Sequence, residues 1–317
     1  MGFDALLGNE RLKENLTAAR RKGRMSHFYL LSGPRGSGKH TLADLIAAAM
    51  LCEAPDGPCG VCRSCRKVLG HNHPDYITID DPEKKIIPVK VVRDARTDMF
   101  IKPNEGAKKI YLFPRAQDLN LEGQNSLLKV LEEPPAYGVF LLLTDNPEKL
   151  LPTVRSRCVE LTLQPLEGAV LEATLRGQFP QADPSSVQAA ISRSGGFLGQ
   201  AQAMLAEGIT EAPQTEAFVQ ALCAKDELLL TRTLVPLEKW KRDPLIELLQ
   251  QWTALLEGAL VIRSGGEALS PLSARLAAAK NGQQLLEAIV RLQKCIEYAQ
   301  GNVSPAAICG YLQWTLR

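Results

Sequence analysis

"GPRGSGKHT", Gly33 to Thr41, decides the fold of this chain. An apolar run, HFYLL (27–31), comes before it. After it Leu42, Leu45, Ile46 and Ala49 fall on one helical face. Strand, glycine-rich turn and amphipathic helix together make the setting of a phosphate-binding loop, whose backbone N–H groups and helix N-terminus hold an anion. Gly33, Gly36 and Gly38 mark the loop, and Lys39 would place its charge on the β- and γ-phosphates of ATP, or on the β-phosphate of ADP. His40 breaks the pattern. Its slot calls for Ser or Thr, whose hydroxyl ligates Mg²⁺, a hard ion that prefers oxygen. An imidazole suits softer metals. Thr41 comes one position late, and one helical step turns a side chain by about 100°. The loop therefore predicts weak, metal-poor nucleotide binding or a retained turn with no nucleotide.

The residues that should complete a hydrolytic site also depart from expectation. A phosphate-loop ATPase needs an Asp at the end of a nearby strand to hold Mg²⁺. The strand KKIYLF (108–113) runs instead into Pro114, Arg115, Ala116 and Gln117, and a cation there would repel Mg²⁺. Asp118 reads as the start of the next helix, and Asp80 and Asp81 read as surface turn residues. With two parts of the metal site altered, no functional Mg²⁺ site and no hydrolysis in cis are expected.

Around the loop, helix and strand patterns alternate. Strands are predicted at 27–31, 76–79, 109–113, 139–144 and 158–163. Helices are predicted around Val92, Ala95, Arg96 and Met99, and from Leu119 through Leu127, Leu128 and Leu131 to a stop at Pro134–Pro135. This alternation implies a mostly parallel sheet covered on both faces. Past QPLEG (164–168) the strand signals end. Short helices near 167–176, 185–194 and 198–206 lead to a boundary at 207–213. Longer helices follow, among them KDELLLTRTLVPLEKW, DPLIELLQQWTALLEGALVIR, QQLLEAIVRLQKCIEYAQ and PAAICGYLQWTL. Trp240, Trp252 and Trp314 are expected to pack a helical core there. The reading is an α/β phosphate-loop module with a parallel sheet (1–165), a small helical lid (166–209) and an all-α C-terminal domain (210–317).

The composition, 45% apolar and 23% charged with a net charge of +2, is that of an ordinary globular protein with no global field for nucleic acid. No signal peptide is expected in MGFDALLGNE, and no run approaches the roughly 18 apolar residues of a membrane span. The expected location is cytoplasmic. Four of the eight cysteines crowd at Cys52, Cys59, Cys62 and Cys65. Thiolates are good zinc ligands, four of them close a structural tetrahedral site, and Gly57, Pro58 and Gly60 supply turns. Structural Zn²⁺ in a module at 52–65 is the reading, against reduced structural cysteines or, less well matched in spacing, an iron–sulfur cluster. His71 and His73 read as turn residues outside the site. Cys158, Cys223, Cys295 and Cys309 read as small core residues.

GQNSLLKVLEEPP (123–135), VFLLLTDNPEKLLPTVRSRC (139–158), SHFYLLSGPRGSGK and the cysteine cluster together resemble bacterial clamp-loader subunits of the AAA+ class, strongly over residues 5–165. That family has ATP-hydrolysing tau/gamma motors and a non-motor branch in which the same machinery is degraded. His40, Pro114 and Arg115 match the non-motor branch, and no extension of the tau kind is expected. In GGFLGQAQAML (195–205), Gly199 stands where motor subunits carry a γ-phosphate-sensing Arg, with Arg193 nearby. The resemblance implies that Arg157, of the SRC motif, reaches ATP held by a neighbouring subunit as a trans arginine finger. Read from the residues alone, Arg157 could equally pair with a local carboxylate such as Glu160, and Arg155 is the second candidate. The implied partners are tau/gamma and delta subunits in a hetero-oligomeric ring held by the C-terminal collar. Through that ring the chain would reach a sliding clamp and primer–template DNA, with no membrane partner, as a largely non-hydrolysing component of a DNA-directed DNA polymerase holoenzyme. Two alternatives remain: a tau/gamma-type motor with an unusual metal site, and a zinc-containing DNA-binding protein using Arg63, Arg66 and Lys67.

Overall fold

The structure is a computed structural model that describes residues 2–81, 83–207, 213–266, 270–301 and 303–316. The chain divides into two compact units, residues 1–171 with 197–200, and residues 172–196 with 201–317. The boundary expected at 209–210 lies outside the described residues.

In the first unit five strands, β1 (Phe28–Ser32), β2 (Tyr76–Thr78), β3 (Lys109–Phe113), β4 (Gly138–Thr144) and β5 (Val159–Thr162), form one sheet in the order β2-β3-β4-β1-β5. All pairs are parallel, with Ser32 level with Thr144 on one side of β1 and Thr162 on the other. Alternate side chains go to opposite faces of a strand. Tyr29, Leu31, Ile110, Leu112, Leu141 and Leu143 join one core with α1 (Glu10–Arg21) and α2 (Lys39–Leu51). Phe28, Leu30, Tyr111, Phe113, Phe140 and Leu142 join the other with α4 (Val89–Asp98) and α5 (Leu121–Glu132). Three aromatic rings stack on Phe140, those of Phe28, Tyr111 and Phe113, with centroids 5.1, 5.4 and 5.9 Å away. The order reverses at β1, so the loop after β1 opens at the crevice where such sheets bind ligands. This is the α/β AAA+ arrangement that the sequence implied.

Two local readings are corrected. Helix α2 is buried nearly all round, Ala43, Ala47, Ala48, Met50 and Leu51 included, rather than on one face. Its second side is covered by α3 (Arg63–Leu69), the helix of the cysteine module, and the Cys65 Sγ lies 3.8 Å from the Ala48 carbonyl oxygen. Asp118 does not start a helix. It ends a 3₁₀ turn, Ala116–Asp118, and α5 is capped by Asn120, whose side chain accepts the Gly123 N–H at 2.8 Å.

After the short α6 (Pro152–Arg155) and β5 comes α7 (Gly168–Gln178). The second unit then carries α8 (Pro184–Arg193), most of α9 (Leu198–Glu207), α10 (Pro213–Ala224), α11 (Glu227–Leu234), α12 (Arg242–Arg263), α13 (Pro271–Ala279), α14 (Gly282–Gln300) and α15 (Pro305–Thr315). The segment 225–240, read as one helix, breaks at Leu234 into a 3₁₀ turn, Val235–Lys239, because Pro236 lacks the N–H that would continue it. By length and composition alone helix α12 could cross a membrane, an 18-residue stretch of it having mean hydropathy 1.3, where the sequence reading expected no such run. Its Leu245, Leu249, Trp252 and Leu256 are buried in the helical core, which accounts for the apolar run. Trp252 stacks on Phe218 at 3.9 Å, and Trp240 packs against the same core. Trp314 does not, being 72% exposed. Cys295 and Cys309 are buried, whereas Cys158 and Cys223 are half-buried.

Candidate functional site

The phosphate loop is closed by the chain's own atoms. Lys39, only 6% exposed, directs its Nζ to the carbonyl oxygens of Gly33 at 2.6 Å and Pro34 at 2.9 Å, and to Asp145 Oδ1 at 2.6 Å. A buried ammonium needs a counter-charge. Asp145 supplies it because the β1–β4 register sets Thr144 beside Ser32, just before the loop. On the other side, the Gly199 N–H donates to the Gly36 carbonyl at 2.9 Å, and Gln200 Nε2 donates to the Arg35 carbonyl at 2.9 Å. The two backbones touch so closely that a Cβ on Gly36 would stand 2.5 Å from Gln200 N, and one on Gly199 would stand 2.7 Å from Gly36 Cα. Any side chain at position 199, an arginine included, collides with the loop. Gly38, at φ 95°, caps α2 and leads into it, with His40 and Thr41 exposed in its first turn.

At the end of β3 the expected acid is replaced by a clamped base. Arg115 reaches Asp80 Oδ1 at 2.5 Å and Asp118 Oδ2 at 3.2 Å, and its Nη2 donates to the Asp81 carbonyl at 3.0 Å. Asp80 and Asp118 are thus partly buried ion-pair partners rather than a surface turn and a helix start. The Asp80 carboxylate raises the Arg115 pKa still further, and burial pushes the Asp118 carboxyl up.

Glu160 pairs with Arg155, not with Arg157. Arg155 is held by Glu148 at 2.8 Å and Glu160 at 3.6 Å. Arg157 is more exposed and donates from Nη2 to Glu132 Oε1 at 2.7 Å and from Nη1 to the Thr153 carbonyl at 2.9 Å. Buried Gln124 knits this region together. Its Nε2 donates to the Leu119 and Lys149 carbonyls, and its Oε1 accepts the Leu151 N–H at 2.7 Å. Burial pushes the neighbouring Cys158 thiol up to about 12, which disfavours the nucleophilic thiolate.

Cys52, Cys59, Cys62 and Cys65 come together, their sulfurs all within 4.8 Å of one another. A tetrahedral zinc with Zn–S bonds of about 2.3 Å holds its sulfurs about 3.8 Å apart. The 4.0 Å separation of Cys59 and Cys65 is close to that. Backbone N–H groups aim at the sulfurs, Cys62 N to Cys59 Sγ at 3.3 Å and Cys65 N to Cys62 Sγ at 3.4 Å, which favours thiolates. The Cys62 and Val61 N–H groups hold the Cys59 thiol down at about 6, while burial pushes Cys65 up to about 12. Gly57 has no room for a side chain, since its Cβ would lie 2.7 Å from Cys52 Sγ. The four thiols could bind zinc. Among the described residues the cluster contains no histidine. His71 is exposed, and buried His73 accepts the Asp75 N–H on Nδ1 at 3.1 Å.

The sequence reading did not single out Asp145, Glu132 or Gln124 as site residues. A carboxylate directly after the apolar strand GVFLLLT was the available signal for Asp145. Nothing local marks the pairing of Glu132 with Arg157, 25 residues apart.

A family model described as "DNA polymerase III, delta subunit" matches residues 8–167. The chain belongs to that family. It is 37% identical over 191 residues to DNA polymerase III subunit delta′ of Pseudomonas aeruginosa, a match covering 59% of this chain and 58% of that protein. It is 38% identical over 167 residues to the tau subunit of Salmonella typhimurium, covering 52% of this chain and 26% of the relative. The tau subunit of Bacillus subtilis is 32% identical over 215 residues, covering 66% of this chain and 38% of the relative. The matches thus span between about a quarter and three-fifths of these relatives. Among solved structures, a gamma-subunit-related protein of Thermotoga maritima has a TM-score of 0.42 at 17% identity, covering 95% of this chain and 99% of that one. The RuvB branch-migration motor of the same organism scores 0.46 at 17% identity, covering 87% and 83%. Within that family the chain matches both delta-prime and tau relatives at similar identity, and identity alone does not separate them.

Proposed function

We propose that this chain is a delta-prime-type clamp-loader subunit, which does not hydrolyse ATP itself and supplies Arg157 to ATP on a neighbouring subunit. The observation that carries the reading is Arg115, clamped by Asp80 and Asp118 where a motor subunit needs a free carboxylate for Mg²⁺. The closure of Lys39 by Asp145 points the same way. A guanidinium stabilises the charge that spreads over a transferring phosphoryl group, so a chain without its own metal site can still serve a neighbour. In this reading residues 166–209 act as lid and 210–317 as collar. The partners are tau/gamma and delta subunits in a cytoplasmic ring, which opens a sliding clamp and places it on primed DNA. Cys52, Cys59, Cys62 and Cys65 would hold a structural zinc ion. The zinc-module reading as a bare DNA binder leaves the Gln124-organised segment and Arg157 without a role.

The test is the complex reconstituted with the motor subunit. Arg157→Ala should assemble normally and slow hydrolysis at the neighbouring site by about 10³-fold, the size of effect such fingers show. Unchanged ATPase and unchanged clamp loading would sink the reading.

A further inference from the structure

The LEEPP segment has no task in the reading so far, yet its Glu132 makes the ion pair with Arg157. We propose that Glu132 is the positioning residue for Arg157, holding the guanidinium in place before a neighbour's triphosphate arrives. The inference rests on the trans role given to Arg157.

Arginine loses rotamer entropy when it is fixed, and contacts made beforehand reduce that loss on binding. Arg157 has two such contacts, from two different elements. Thr153, on α6, takes Nη1 at 2.9 Å, and Glu132, the last residue of α5, takes Nη2 at 2.7 Å. The spacing of α5 and α6 is set in turn by Gln124, on α5, which binds Leu151 just before α6. A guanidinium carries five N–H donors, so donors remain for phosphate oxygens while these contacts hold. The pair is also releasable. Arg157 and Glu132 are 36% and 53% exposed, and exposed pairs contribute little. Phosphate oxygens can take Nη2 from the carboxylate while Thr153 keeps Nη1. Arg155 lacks this freedom, being tied by both Glu148 and Glu160.

The experiment is steady-state ATPase of the reconstituted complex, with the wild-type chain, Glu132→Ala, Glu132→Gln, Arg157→Ala and the double variant Glu132→Ala/Arg157→Ala. Glu132→Ala should lower kcat by about three- to tenfold at unchanged KM, and Glu132→Gln, which keeps an accepting oxygen, should fall between it and wild type. The double variant should match Arg157→Ala alone. Melting temperatures should stay at the wild-type value, since both side chains are exposed. If Arg157→Ala lowers kcat and Glu132→Ala does not, the positioning role is wrong. It is equally wrong if Glu132→Ala causes a further loss in the Arg157→Ala background. If Arg157→Ala itself is silent, the trans-finger reading fails, and the proposal with it.

Discussion

Gly36 and Gly199 owe their identity to each other. Gly36 has φ 76°, a conformation that side chains strain to adopt, and its missing Cβ leaves room for the Gly199–Gln200 backbone. Gly36→Ala therefore adds strain and a backbone collision at once, and should lower unfolding stability by about 1–3 kcal/mol. Gly177 is the control. It lies exposed in α7 with nothing within 4 Å of an added Cβ, so Gly177→Ala should be neutral or raise stability by about 0.5–1 kcal/mol. Urea denaturation of the two variants decides the point, and equal midpoints would remove the close-contact explanation for Gly36. At this scale the glycine at 199 has a physical meaning: the backbone of the loop fills the space that any side chain there would need.

Among the elements, the cysteine module and α2 depend on one another. Helix α2 has only a weakly one-sided apolar pattern because α3 covers a face that would otherwise meet water. A metal-free module leaves four thiols near one point, two of them, Cys52 and Cys65, buried beside α2. Metal analysis should return one zinc per chain. Its removal by a chelator should lower the melting temperature by about 5 °C or more, with recovery when zinc is restored. A chain that carries well below one zinc without having met a chelator, and melts unchanged in its presence, would show that the cysteines are merely structural.

For the whole molecule, the loop, the β3 terminus and the exposed arginine make a consistent set. Lys39 is ion-paired with Asp145, Arg115 is clamped by Asp80 at the end of β3, and Arg157 stays accessible. The isolated chain should show no ATP turnover above background. Millimolar ATP should leave its melting temperature unchanged, because a ligand stabilises only the state it binds. Turnover that disappears on Lys39→Ala would favour the motor alternative. A DNA affinity of the isolated chain that falls steeply with salt would favour the zinc-module one.

The sequence by itself determined the features that local pattern carries. Period-two and helical runs located the five strands and helices α2, α4 and α5 of the first unit, and cysteine spacing located the four sulfurs, because each depends on neighbours along the chain. It did not reveal helices α1, α3, α6, α10 and α13, the exposure of Trp314 or the break at Pro236. Only the tertiary structure decided which charges meet. Lys39 and Asp145 are 106 residues apart, Arg115 and Asp80 are 35 apart, and Arg157 and Glu132 are 25 apart. These pairs follow from strand order, parallel register and the packing of α5 on α6. The same residues read along the chain offered Glu160 as an example of a carboxylate for Arg157, where the structure has Glu132, and made Asp118 a helix start, because an ionic contact is fixed by distance in space and leaves no period in the sequence.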